Sequence, residues 1–255
     1  MRIAISGTAN IGKTTLIQDF LKTWPKYKTP SQTYREALKA GNYPHSKKCT
    51  KDGQWAILNH MIDEMQKYTS KDHVIFDRCP LDNLIYSLWS NSKNATDVDD
   101  EFVNKCINVV RESMKFLDII FFIPITKASQ VKIEENGTRE IDPEYISEID
   151  NLFKAIIRHY THGLTVDKFF PKDDSPGIIE IYGNREERIA LMNQYLNVDG
   201  DIIGEAGDTV LNPHTINQLE QLLKDQAASL TSEKSEQHQR QLIADFTKTG
   251  KLNKS

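Results

Sequence analysis

The stretch Gly7-Thr8-Ala9-Asn10-Ile11-Gly12-Lys13-Thr14 decides the fold of this chain. It has the pattern G-x-x-x-x-G-K-[ST], the phosphate-binding loop known as the P-loop. Its glycines allow a tight turn because glycine tolerates positive φ, and the loop N–H groups then point at phosphate oxygens. Lys13 supplies a positive charge for the β- and γ-phosphates, and the Thr14 hydroxyl suits Mg²⁺. The stretch therefore predicts a site for ATP and Mg²⁺.

The residues on either side of the loop have the expected composition. Arg2–Ser6 reads as a short buried strand, and a helical pattern that includes Thr15 follows the loop. Such a helix points the positive end of its dipole at the same anion, so Thr15 joins the expected nucleotide-binding residues. The alternative is an ordinary glycine turn between a strand and a helix, with Lys13 in solvent.

The composition is that of a globular protein. The chain has 255 residues, of which 38% are hydrophobic and 27% charged, and its net charge of −4 gives no general attraction to nucleic acid. The longest apolar run, Ile119–Ile123, is too short to span a membrane. The first strand follows Met1 directly and leaves no room for a signal peptide, so we expect a cytoplasmic protein with free thiols at Cys49, Cys79 and Cys106.

Apolar runs alternate with helical patterns along most of the chain. The runs expected to be strands are Arg2–Ser6, Tyr27–Thr29, His73–Asp77, Asp118–Ile123 and Ile178–Tyr182. The helical stretches lie near residues 13–24, 51–68, 80–89, 99–116 and 143–162. This alternation predicts an α/β fold, the three-layer sandwich of P-loop NTPases with a mostly five-stranded parallel sheet. Ligands of such sheets bind at the carboxyl ends of the strands.

The pattern changes near residue 196, which predicts a domain over residues 1–196 and a C-terminal helical extension over residues 197–255. Asn212-Pro213 is a typical helix start, with a polar cap followed by proline at the first helical position. The end of the extension is mostly polar and is expected to be partly mobile. Packing on the core, pairing with a second copy as a homodimer and remaining mobile are three open roles.

An acid and an arginine end the buried strand that begins at His73. In a P-loop architecture this strand end lies near the loop, so Asp77 is a candidate to hold Mg²⁺ or to take a proton from an attacking hydroxyl. Arg78 is a candidate to bind transferring phosphate oxygens through charge-assisted hydrogen bonds. The alternative is an ion pair that caps the strand.

The segment Asp77-Arg78-Cys79-Pro80-Leu81-Asp82-Asn83-Leu84-Ile85-Tyr86 resembles the aspartate-arginine motif of P-loop nucleoside and nucleotide kinases. The resemblance covers residues 1–195 and is greatest to the small P-loop kinase-like proteins of bacteriophages. Thymidylate kinases carry an aromatic residue and a serine where this chain has Cys79 and Asp82. Deoxynucleoside kinases usually have glutamate at the first position. The substrate is therefore not inherited from the resemblance.

The resemblance also implies substrate contacts. Arg35 and Glu36 stand where such kinases contact the sugar or phosphate of the acceptor, or else form the exposed start of a helix. Gln54 resembles the glutamine that reads the base, for which an amide offers a donor and an acceptor side by side. Asp82 and Tyr86 belong to the motif and are expected on the substrate side.

Two arginines are candidates for contacts with ATP. Such kinases keep a mobile lid between the fourth strand and the next helix, here about residues 126–142, and Arg139 resembles the lid arginine that closes over the phosphates. Arg185 follows the last strand, where it would stack on adenine or pair with Glu186 or Glu187.

The resemblance implies an ATP-dependent phosphotransferase that moves the γ-phosphoryl group to a nucleoside or nucleotide. Lys13, Arg78 and Arg139 would stabilise the transferring group, and Thr14 and Asp77 would hold Mg²⁺.

Two alternatives stay open. One is a kinase that acts on a hydroxymethylated pyrimidine within DNA, for which the basic loop His45–Lys51 would be a contact, unless it is a solvated surface loop. The other is a P-loop ATPase or switch module that responds to a partner.

Overall fold

The computed structural model describes residues 1–44, 46–129, 142–161 and 166–203. Its strands are β1 (Arg2–Ser6), β2 (Val74–Asp77), β3 (Ile119–Phe122) and β4 (Gly177–Glu180). They form one parallel sheet in the order β2-β1-β3-β4. The order places β1 at the centre, so the loop that follows it lies at the middle of the carboxyl edge.

The described helices are α1 (Lys13–Thr23), α2 (Tyr34–Ala40), α3 (Lys51–Gln66), α4 (Pro80–Ser92), α5 (Asp100–Ser113), α6 (Pro143–Thr161), α7 (Val166–Phe169) and α8 (Arg185–Met192). Short 3-10 turns occur at Ser46–Lys48 and Met114–Phe116. The alternation of strands and helices confirms the predicted α/β sandwich. The sequence patterns did not place the short helices α7 and α8. Helix α2 begins at Tyr34, where the start of a helix was the alternative interpretation of Arg35 and Glu36.

The predicted fifth strand, Tyr27–Thr29, is reduced to a single bridge. Lys28 pairs in parallel with Val74 on the free side of β2. Pro25 and Pro30 bracket this segment, and proline cannot donate to a strand ladder. The sheet of the described residues therefore has four strands and one bridging residue at its edge.

Helices cover both faces of the sheet. Ala4 and Phe122 point into the larger core, which α3 to α6 close and where the Phe122 and Phe153 rings stack with centroids 5.5 Å apart. Side chains alternate along a strand, so the buried Ile3 and Ile5 face the other way. On that face α1 and α8 pack against each other.

Specific caps position the helices that surround the loop. Thr33 and Glu36 form a capping box at the start of α2, and Asn184 accepts two backbone N–H groups at the start of α8. Pro80 occupies the first position of α4, where its missing N–H costs nothing. These caps fix where each helix begins relative to the sheet edge.

The compact unit extends from Met1 to Asp201. Within it, the Trp24 indole donates to the Asn197 carbonyl at 2.8 Å, and the Tyr27 hydroxyl donates to the Gly200 carbonyl at 2.6 Å. The domain boundary at residue 196 stays a prediction, and residues 204–255, including the predicted helix, lie outside the described residues. Among the described helices, none combines the length and apolar character needed to cross a bilayer.

Candidate active site

The loop between β1 and α1 has backbone angles that glycine adopts readily. Gly7 has φ of 142° and Gly12 has φ of 90°, and Asn10, at 60°, is also left-handed. A Cβ atom on Gly7 would lie 2.8 Å from the carbonyl oxygen of Ile123, which is shorter than real contacts of that kind. The two motif glycines therefore let the chain turn closely over the end of β3, as an anion-binding loop requires.

Lys13 folds back onto this loop. Its Nζ donates hydrogen bonds to the carbonyl oxygens of Gly7 at 2.8 Å and Thr8 at 2.6 Å. Burial, together with the nearby charge of Arg78, lowers the pKa of Lys13 to about 7. A phosphate oxygen is a stronger partner for the ammonium than these neutral carbonyls, because it adds the attraction of a full negative charge.

Thr14 and Asp77 form the oxygen pair expected for Mg²⁺. Asp77 ends β2 opposite Ile5 of β1, and its Oδ2 accepts a hydrogen bond of 3.3 Å from the Thr14 hydroxyl. No group of three or more His, Cys, Asp or Glu side chains converges within the described ranges. The pair fits Mg²⁺, which takes few protein ligands and completes its shell with water and substrate phosphates.

Arg78 follows directly and is held in an unusual conformation. Its φ is 84°, a region that non-glycine residues occupy at a cost of about 1–3 kcal/mol, mostly at functional sites. Its guanidinium donates to Asp82 Oδ1 at 3.0 Å and lies 5.7 Å from the Tyr34 ring centroid and 5.1 Å from that of Tyr86. An ion pair and two aromatic faces thus orient this cation.

The two cations share one acceptor. The Gly7 carbonyl oxygen accepts from Lys13 Nζ at 2.8 Å and from Arg78 Nη1 at 3.4 Å. When Lys13 is protonated, two positive charges meet at one neutral oxygen and repel each other, and a polyanion between them would relieve that repulsion. The arrangement therefore favours a phosphate ligand.

Asp82 supports the site from behind. It is fully buried, and its Oδ2 accepts from the Ser6 hydroxyl at 2.7 Å and the Cys79 N–H at 3.1 Å, while Oδ1 faces Arg78. Both oxygens are therefore used within the protein. In this arrangement the carboxylate holds Arg78 and caps α4, and the expected substrate contact of Asp82 stays a prediction.

A cavity of about 210 Å³ opens beside Thr14, Asp77 and Arg78. The segment after the Lys28 bridge, α2 and α3 form its walls. The lining includes Tyr34, Arg35, His60, Met61, Glu64 and Phe76. The cavity thus leaves a space for a small molecule beside Thr14, Asp77 and Arg78.

Two of these lining residues have unused polar groups. Arg35 is exposed, stacks on Tyr34 at 4.9 Å, and has no carboxylate within ion-pair distance among the described residues. His60 Nε2 is buried and has no hydrogen-bond partner in the same part of the chain. A lone histidine on a helix carries no functional signal in the sequence until its neighbours are known.

The comparison with family models decides the assignment. A model described as the AAA domain matches residues 2–169, more than half of the chain. The chain belongs to the AAA domain family. A search by sequence among curated proteins finds no match.

Solved structures show the same fold. Deoxyadenosine kinase from M. mycoides, bound to dCMP and dCDP, matches with a TM-score of 0.57 and 19% identity over 76% of this chain and 97% of that one. Thymidylate kinase from Candida albicans matches with a TM-score of 0.50 and 12% identity over 80% and 95%. NadR in complex with NR matches at 0.52 and 16% over 76% of this chain but only 51% of its own. The predicted P-loop kinase-like fold is confirmed.

Two expected substrate contacts lie elsewhere in the AAA domain. The Glu36 carboxylate accepts from the N–H of Thr33 at 2.7 Å and from its hydroxyl at 2.5 Å, which lowers the pKa of Glu36 and caps α2. The buried Gln54 does not line the cavity, and its Oε1 accepts from Asn83 Nδ2 at 2.8 Å. Asn83 Oδ1 is buried and has no partner among the described residues, so this amide pair retains an open acceptor.

Arg185 has a different partner from those expected. Its guanidinium forms a two-pronged pair with Asp19 of α1, at 2.8 and 2.6 Å, and neither Glu186 nor Glu187 takes part. The arginine that reaches the loop is Arg188, one turn later, whose Nη1 donates to the Ile11 carbonyl at 2.7 Å. A partner 177 residues away left no pattern in the sequence.

Arg139 and most of the predicted lid, residues 126–142, lie outside the described residues, but contacts of the residues before and after this stretch are described. At its start, the Ser129 hydroxyl oxygen accepts from the Gly183 N–H at 2.7 Å. After it, the Thr8 hydroxyl of the loop donates to the Ile146 carbonyl at 3.0 Å, within the first turns of α6. The role of Arg139 stays a prediction.

The basic loop is largely neutralised within the protein. Lys47 pairs with Asp142, and Lys51 pairs with Asp99. The Lys51 N–H also donates to Asp97 at 2.9 Å. These contacts reduce the charge available to a DNA backbone and favour the interpretation of this segment as a surface loop.

Proposed function

We propose that this chain transfers the γ-phosphoryl group of ATP to a nucleoside or nucleotide, with Mg²⁺ at Thr14 and Asp77. The observation that carries the proposal is the 3.3 Å contact between the Thr14 hydroxyl and Asp77 at the mouth of a cavity that Arg78 also lines. A loop for the donor phosphates and a space for an acceptor therefore meet at one pair of oxygens. Fold likeness to nucleoside and nucleotide kinases supports the same interpretation.

On the donor side, the chain supplies positive charge and N–H groups. Lys13 leaves the carbonyls of Gly7 and Thr8 and binds the β- and γ-phosphates. Thr14 and Asp77 hold Mg²⁺, which neutralises phosphate charge when it is bound. Arg78 binds oxygens of the transferring group, where a fixed cation is worth most because phosphoryl transfer is accelerated mainly by positioning and electrostatics.

On the acceptor side, two guanidinium groups line the same cavity. Arg78 is fixed by Asp82, whereas Arg35 has no carboxylate partner among the described residues. Planar guanidinium groups bind phosphate through two parallel hydrogen bonds. The pair therefore favours an acceptor that already carries a phosphate, a nucleoside monophosphate.

A phosphate acceptor and a hydroxyl acceptor require different chemistry from Asp77. A phosphate oxygen is already ionised at neutral pH and needs no base. A hydroxyl must lose its proton as it attacks, and Asp77 would then accept it. With a monophosphate acceptor, the role of Asp77 would therefore be confined to holding Mg²⁺.

The test is acceptor-dependent formation of ADP from labelled Mg·ATP. The panel contains nucleosides, nucleoside monophosphates and an oligonucleotide with hydroxymethylated pyrimidines, each with the wild type and with Lys13→Ala. We expect ADP and a phosphorylated product with at least one monophosphate, and neither with Lys13→Ala. ADP formation that no acceptor accelerates would identify an ATPase or switch, and labelling of the oligonucleotide alone would identify a DNA kinase.

A further inference from the structure

A buried arginine of α8 lies against the back of the phosphate loop. Arg188 is 7% exposed, and its Nη1 donates to the Ile11 carbonyl at 2.7 Å. The same Nη1 lies 3.2 Å from where a Cβ atom of Gly12 would be, so a side chain there would press on the guanidinium. Glycine is therefore favoured at position 12 for two reasons: it tolerates the φ of 90°, and it leaves room for Arg188.

This guanidinium carries a charge that nothing in the described part of the chain neutralises. Its Nε is buried without a hydrogen-bond partner there, and no carboxylate pairs with it. Burial alone lowers the pKa of Arg188, with no acid to oppose the shift. Five other described arginines pair with acids, namely Arg2, Arg78, Arg111, Arg158 and Arg185, whereas Arg35 has no such partner but is exposed to solvent.

A buried cation without an anion is costly, because desolvation disfavours its charged form. A phosphate group in the loop would supply the missing negative charge. The hydrogen bond also fixes a direction: in a planar trans peptide the C=O and N–H groups point opposite ways. With the Ile11 carbonyl turned to Arg188, the Gly12 N–H is turned away from α8, and so is available to an anion on the other side of the loop.

We propose that Arg188 is a positioning residue for the nucleotide: it orients the Ile11–Gly12 peptide and becomes electrostatically compensated only when a nucleoside di- or triphosphate fills the loop. The inference rests on the proposed nucleotide binding. It deepens that proposal by assigning part of the affinity to a residue beyond the matched AAA domain. Its effect should be equal for ADP and ATP, because P-loop amides cradle the α- and β-phosphates that both share.

The test compares Arg188→Met, Arg188→Lys and a control, Arg158→Met, in the full-length protein. Arg158 pairs with Glu180 at the end of β4 and has no described hydrogen bond to the loop. Calorimetry gives the Kd of ADP and of Mg·ATP, thermal denaturation gives the Tm without nucleotide, and turnover gives KM for ATP and kcat.

We expect Arg188→Met to weaken both nucleotides at least tenfold, about 1.4 kcal/mol, and to raise KM more than it lowers kcat. The Tm without nucleotide should stay unchanged or rise, since a buried uncompensated charge is lost. Arg188→Lys should recover most of the affinity, and Arg158→Met should match the wild type. Unchanged nucleotide affinity in Arg188→Met, or a fall in its nucleotide-free Tm of more than a few degrees, would overturn the inference. A wild type that binds no nucleotide would instead refute the proposed function.

Discussion

Binding of Mg·ATP should draw a proton from solution, and Lys13 should be the group that takes it up. In the nucleotide-free protein, burial and the Arg78 charge lower the pKa of Lys13 to about 7, so the amine is largely neutral at pH 8. Phosphate oxygens next to Nζ stabilise the ammonium form and return the pKa towards its ordinary value. The site must therefore gain a proton as it gains its ligand.

The magnitude depends on this pKa. With a value of about 7 for Lys13, roughly one tenth of the protein carries the proton at pH 8, so binding takes up about 0.9 proton. Affinity for Mg·ATP should then fall about eightfold between pH 7.5 and 8.5, because proton uptake and the pH dependence of binding are linked. At pH 6 the amine is already charged, and the uptake should fall to about 0.1 proton.

Calorimetry in two buffers with different heats of ionisation measures the uptake directly. At pH 8 the terminal phosphate contributes little, since its second pKa is near 6. Lys13→Arg provides the matched control, because arginine stays charged in proteins and has no proton to gain. Identical heats in both buffers at pH 8, or an uptake that Lys13→Arg preserves, would refute the electrostatic account of this lysine.

Three further outcomes test the site and its support. Asp77→Asn should lower kcat by about 10²–10⁴, because the lost oxygen holds Mg²⁺, which is worth several kcal/mol to the transition state. The Kd of nucleotide without metal should change by less than threefold, because the nucleotide phosphates bind the loop. A loss confined to nucleotide affinity would argue against this role. Asp82→Ala should lower the free energy of unfolding, measured by urea denaturation, by about 3–5 kcal/mol, because it leaves the Arg78 guanidinium buried without its anion. A stable variant with a raised KM for the acceptor would instead support the predicted substrate contact of Asp82. A chain that ends after Asp201 should melt as a folded unit. A chain that ends after Leu196 should lose about 2–5 kcal/mol of unfolding free energy, because the Trp24 indole and the Tyr27 hydroxyl lose their hydrogen-bond acceptors. Equal stability of the two fragments would contradict these contacts.

Local sequence patterns were enough to predict the centre of the molecule. The strand Arg2–Ser6, the loop and α1 are adjacent in sequence, and their geometry follows from glycine, lysine and threonine at fixed spacings. Asp77 could also be placed, because parallel strands bring their carboxyl ends to one edge whatever the length of the connection. The positions of these residues follow from motif spacing and parallel-strand geometry, both of which can be recognised in one sequence.

Partnerships across the fold could not be predicted. The sequence motif makes Asp82 a candidate substrate contact, but only the structure shows that Ser6, 76 residues away, donates a hydrogen bond to it. Arg185 finds Asp19 across 166 residues. The predicted strand Tyr27–Thr29 is reduced to one bridge because prolines flank it. Their effect could not be judged from the sequence, since proline is tolerated in an edge strand and the position of the edge was unknown.

The carbonyl oxygen of Gly7 joins the two halves of the site, since it accepts from Lys13 and Arg78 at once. If a donor nucleotide draws the lysine away, this oxygen is left to the arginine alone, and an acceptor that binds the arginine would leave it to the lysine. Any coupling that results must be reciprocal, so each substrate would alter the affinity for the other by the same factor. The Gly7 carbonyl oxygen would thus link the occupancy of the donor site to the affinity of the acceptor site.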